Sequence, residues 1–161
     1  MKPKWIEIAE KYIGRAEIPG ERTADFITKA LVFMGAWWRD DETPWCGVGA
    51  GACLKHAGVT PPKAYYRAKA YLDWGVKLDR AIYGCIVVFT RQGGGHVGFV
   101  VGKDDKNRLM VLGGNQGNKV SIAPFDQTRV AGYRWPEGVP LVTSTQLPLI
   151  SSSIQSSSNE A

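Results

Sequence analysis

The chain has 161 residues, enough for one domain. Its 44% hydrophobic and 22% charged composition allows a core without disulfides or a structural metal. The formal charge of +5 favours association with polyanions, but no basic run exceeds two residues, which argues against a nucleic-acid groove. The 3 cysteines exclude a disulfide framework, and no stretch reaches the roughly 20 apolar residues of a membrane span, so stable membrane insertion is not expected.

The first element is a helix. Trp5, Ile8, Ala9, Tyr12 and Ile13 recur at helical spacing, and Gly14 follows as a stop signal. A second helical pattern runs through Phe26, Ile27, Ala30, Leu31 and Met34 to Gly35. A third follows Pro44 and covers Cys46 to His56, with Gly58 beyond it; a shorter fourth spans Ala68 to Trp74. After Gly75 the texture changes to short β-branched and aromatic runs separated by turn residues. These are Ile82–Phe89, His96–Val101, Arg108–Leu112, Lys119–Ile122 and Val130–Trp135. Helices followed by a strand meander predict an α+β fold, with N-terminal helices packed on a C-terminal antiparallel sheet of about five strands. Residues 1–140 form the expected domain, and the Ser-rich stretch 141–161 reads as a disordered tail.

Cys46 is the candidate nucleophile. It stands where the third helix begins, and there the unpaired N–H groups and the positive end of the dipole favour a thiolate. Gly47, Gly49 and Gly51 make the helix intrinsically poor, a pattern tolerated where the sheet or a substrate chain approaches closely. Cys53 lies roughly 10 Å further along the same helix, beyond the reach of a disulfide to Cys46. Of the 2 histidines, His56 is roughly 15 Å from Cys46 on that helix. His96 enters a strand after Gly93-Gly94-Gly95, and is therefore the candidate base. Asn115, at the end of the next strand, is the leading candidate to orient the imidazole, with Gln116 as a substitute. Trp37, Trp38 and Trp45 could line a cleft, although core packing is the commoner fate of such rings. Cys46, Cys53 and His56 lack the paired spacing of a zinc cage, so neither a metal nor another cofactor is expected.

Three segments together resemble one family. They are Asp41-Glu42-Thr43-Pro44-Trp45-Cys46, the Gly-Gly-His-Val-Gly-Phe run ending at Phe99, and the Leu-Gly-Gly-Asn-Gln run ending at Gln116. The pattern is similar to small phage and bacterial cell-wall hydrolases related to the CHAP and NlpC-type amidase/endopeptidases, and Gly132-Tyr133-Arg134-Trp135-Pro136 resembles that family's closing motif. The resemblance implies a papain-like fold, Cys46, His96 and Asn115 as the catalytic set, and bacterial peptidoglycan as the partner. Trp45, Trp37 and Gln116 are the residues expected to contact the substrate. A phage endolysin acting as a monomer, without nucleic acid, is the expected biology. The N-terminal residues lack a secretory apolar stretch, so the wall is expected to be reached by holin-assisted release or lysis. The chain departs from that family's pattern at Gly47-Val48-Gly49 and at Cys85, where the family commonly has an acidic residue. A catalytically inert wall-binding or phage structural module on the same fold is the rival reading. A second rival, an antibacterial effector, would share the chemistry of the hydrolase.

Overall fold

The computed structural model describes residues 2–15, 25–36, 45–91, 94–117, 119–141 and 146–150. Three α-helices come first: α1 (Lys4–Glu10), α2 (Asp25–Met34) and α3 (Cys46–His56). A 3-10 turn at Ala68–Asp73 leads into strands β1 (Val76–Leu78), β2 (Ile86–Arg91), β3 (Gly94–Lys103), β4 (Leu109–Gly113) and β5 (Ser121–Phe125). A second 3-10 turn, Gln127–Arg129, precedes β6 (Val130–Trp135). The chain is thus α+β, with six strands where the sequence predicts about five. The extra strand is β1, whose three residues are too few to show a period; it pairs at the sheet margin with β6.

Helices α2 and α3 end where the sequence places their stops, whereas α1 ends before Gly14. Beyond Glu10 the chain continues through shorter i→i−3 bonds, Lys11 to Ile8, Tyr12 to Ala9 and Ile13 to Glu10, a tightened last turn that leaves α1 shorter than the periodicity suggests. After α3, Gly58 takes the left-handed φ of +82° that a side chain would resist. Trp5 anchors α1: its indole N–H donates to the Gly84 carbonyl at 2.8 Å, and its ring meets Trp135 edge-on at 5.2 Å.

The strands form one antiparallel sheet in the order β1-β6-β2-β3-β4-β5. The sheet is strongly curled. Phe125 of β5 stacks on Phe89 of β2 with ring centroids 4.4 Å apart, although β3 and β4 lie between those strands in sheet order. β5 can hold Pro124 because only one side of that strand is in the ladder. Helices α1 and α3 pack against β4, and α3 also packs on β3. The core runs through Val87, Val88, Phe89, Val97, Val100, Val111 and Leu112, all fully buried.

Within the expected tail, Pro148–Ile150 return to the sheet. The Lys103 N–H donates to the Pro148 carbonyl at 2.9 Å, and the Ile150 N–H donates to the Lys103 carbonyl at 2.8 Å. β2 begins opposite Phe99, so the last residues of β3 have an edge that this apolar segment can pair with. A Cβ on Gly102 would lie 2.7 Å from Ile150, so the close approach requires glycine there. Among the described residues, no helix is long and apolar enough to cross a membrane.

Candidate functional site

Two of the three glycines of helix α3 are required because other parts of the chain press against it. A Cβ on Gly47 would fall 2.3 Å from the Tyr65 carbonyl oxygen, and one on Gly51 would meet Met34 at 2.8 Å and the Tyr71 hydroxyl at 3.0 Å. At these two positions the approaching groups are the 65–71 segment and α2, not the sheet. Gly49 alone of the three faces open space. Tyr71 is fully buried and its hydroxyl donates to the Gly47 carbonyl at 2.8 Å. Burial foremost, and then the neighbouring Cys46 thiol, push its pKa well up, so it remains a donor. Trp45 is the N-cap residue: its carbonyl accepts the Gly49 N–H at 2.9 Å, and no side chain caps this end. Cys46 therefore opens the helix and is buried beneath the first turn.

His96 is fully buried in β3. Its Nε2 lies 2.9 Å from Gln116 Oε1. The orientation of that amide is settled by its other end, because Gln116 Nε2 donates to the carbonyls of Val111 at 3.0 Å and Ser121 at 2.9 Å. Those carbonyls can only accept, so Oε1 must be the atom facing the imidazole. His96 Nε2 is therefore the donor, and Nδ1 is the basic nitrogen of the neutral ring. Two rings fix the plane: Phe125 stacks on His96 at 5.3 Å and 8°, and Phe89 at 6.3 Å and 23°. No local pattern marks Phe125, which reaches the site through the curl of the sheet.

Gln116, expected as a substrate contact, is thus committed inside the protein, where it is 2% exposed and holds the histidine. Asn115, the expected orienting residue, is also buried and takes a left-handed φ of 62° in the turn after β4. Trp45 is 3% exposed, edge-on to Phe26 at 5.6 Å, and close enough to Gly114 that a Cβ there would meet its ring at 2.5 Å. Trp37 and Trp38 lie outside the described residues.

Trp45 and Cys46 line a cleft of about 500 Å³ between the three helices and the strands β3 and β4. Val97 and Phe99 form part of its wall. His96 stands on the other face of β3, since it pairs directly across from Phe89 whereas Val97 pairs with Val88. No protein-family model matches the chain, and no curated protein matches it in sequence.

The remaining thiols are Cys85, fully buried, and Cys53, half-buried at the border of the cleft. Burial pushes both Cys53 and Cys85 up from 9.0 to about 12. His56 is exposed at the other end of α3 and stacks on Phe33 at 3.8 Å. Among the described residues, no group of three His, Cys, Asp or Glu side chains could hold a metal ion.

Proposed function

We propose that the chain is a papain-like cysteine hydrolase that cuts an amide bond of bacterial peptidoglycan. The observation that carries this reading is the Gln116–His96 hydrogen bond, which reserves Nδ1 of a ring-stacked imidazole as a base while α3, packed on the same strand, opens with a cysteine. The resemblance of the three motifs to CHAP and NlpC-type hydrolases supports it and supplies the substrate class.

In the proposed cycle the Cys46 Sγ proton passes to His96 Nδ1, and the thiolate attacks the carbonyl carbon of a stem-peptide amide. First-turn N–H groups of α3 hold the oxyanion. The C–N bond breaks as the imidazolium returns its proton to the leaving amine. Water, giving its proton to His96, then hydrolyses the thioester and frees the thiol. Cys46 lines the cleft on one face of β3 and His96 stands on the other, so the cycle requires the Gly94-Gly95 start of the strand to turn the imidazole toward the cleft and bring Nδ1 within hydrogen-bond reach of Sγ in the substrate complex.

The full burial of His96, on the face of β3 opposite Val97, favours a second reading, that of an inert wall-binding module. Isolated sacculi separate the two. Incubation with the protein should release fragments with one kind of new terminus by mass spectrometry, and Cys46→Ala should release none while keeping its fold. Binding without new termini would replace the hydrolase with the inert module.

A further inference from the structure

The cleft beside Cys46 has a charge pattern of its own. Its walls are largely apolar, while the exposed Lys11, Arg15 and Lys29 border it, and no carboxylate does among the described residues. Glu10, on the helix leading to this rim, is occupied by Lys2 at 2.9 Å. A chain of charge +5 shows cations on many faces. A concave, low-dielectric wall with cations and, among the described residues, no acid is a narrower observation, because such walls focus the field inward.

The rings give the cleft a direction. The Arg15 guanidinium lies over Tyr12, 5.3 Å from its centroid; Tyr12 faces Phe26 at 6.3 Å; Phe26 meets Trp45 at 5.6 Å; and Trp45 precedes Cys46. An aromatic wall thus runs from the candidate nucleophile to a cation. Gly49 borders the same space, and a Cβ there would meet nothing within 4 Å, leaving room for a ligand with side chains of its own.

We infer that this cleft binds an acidic peptide, with a free carboxylate at Arg15 when the amide to be cut lies at Cys46. The inference rests on the hydrolase reading and specifies its substrate: a stem peptide with unblocked carboxylates, one amidated at that position being the poorer ligand. Arg15 suits the role better than the neighbouring lysines. Its planar guanidinium is already held over Tyr12, so less side-chain freedom is lost when it grips a carboxylate. Lys11 and Lys29 add attraction that salt screens.

The test uses the whole chain carrying Cys46→Ala, so that ligand is not consumed. A synthetic stem peptide with free carboxylates and its fully amidated twin are titrated while tryptophan fluorescence is followed. The acid form should bind about tenfold tighter at low salt, as a charged hydrogen bond would provide. Adding Arg15→Glu, an exposed change whose fold is checked by circular dichroism, should erase that preference. Equal binding of the twins, or a preference that survives Arg15→Glu, would overturn the inference. So would tighter binding of a long-chain fatty acid than of the acid peptide. If neither peptide binds while the wild-type chain still cuts sacculi, the acidic-end inference fails and the hydrolase reading stands. If sacculus cleavage is also absent, both fall.

Discussion

The two faces of β3 differ in kind although both are buried. Val97 and Phe99 look toward the helices and help wall a cleft, where shape and apolar contact dominate. On the opposite face His96, Gln116 and Phe125 form a polar group inside an aromatic stack, where each hydrogen bond is specified. The apolar wall can be altered by degrees. The polar face behaves as a unit, since losing one partner leaves another buried group unsatisfied.

Perturbations can sharpen or break that contrast. The largest effect expected is a pH dependence. Below pH 9 the Cys85 thiol is protonated in folded and unfolded chains alike; between 9.0 and about 12 only the unfolded chain releases its proton. Unfolding free energy should therefore fall as pH rises through that window, by about 1.4 kcal/mol per pH unit for this one group. Urea titrations should show the slope reduced in Cys85→Ala. Gln116→Leu comes next, with a loss of about 3 kcal/mol, because the His96 N–H and the Val111 and Ser121 carbonyls lose their partner together. A loss below about 1 kcal/mol would mean that the two faces do not differ as described.

Val97→Ala, on the apolar wall, should cost about 2 kcal/mol by lost burial and an enlarged cleft. Its sacculus activity should fall less than that of Gln116→Leu. The smallest effect is a gain: Gly49→Ala places its Cβ in open space on α3 and should add up to about 1 kcal/mol of stability. Differential scanning calorimetry would detect the accompanying rise in Tm.

Much of this was legible in the residues. Helix α3 and strand β6 begin and end where stop signals and β-branched runs place them. The opposing faces of β3 were not, because a strand buried on both sides reads as a continuous apolar run with no alternation. The histidine's partner shows a different limit. Spacing brings the end of β4 alongside His96, and Asn115 is the natural choice, but that residue enters the left-handed region of the turn. Gln116, with the longer side chain, makes the contact. No local pattern shows Phe125 either, since only the closing curl carries β5 across to β2.

The pairing of Pro148–Ile150 with Lys103 has a practical consequence for handling the protein. Lys103 is seven residues along β3 from His96, roughly 23 Å at the rise of a strand. An affinity tag or fluorescent reporter joined after Ile150 sets out from the far end of that strand, and needs no long spacer to stay away from the histidine. The same anchoring makes a cut before Leu147 a poor way to shorten the chain, because it would uncover a strand edge that then invites aggregation.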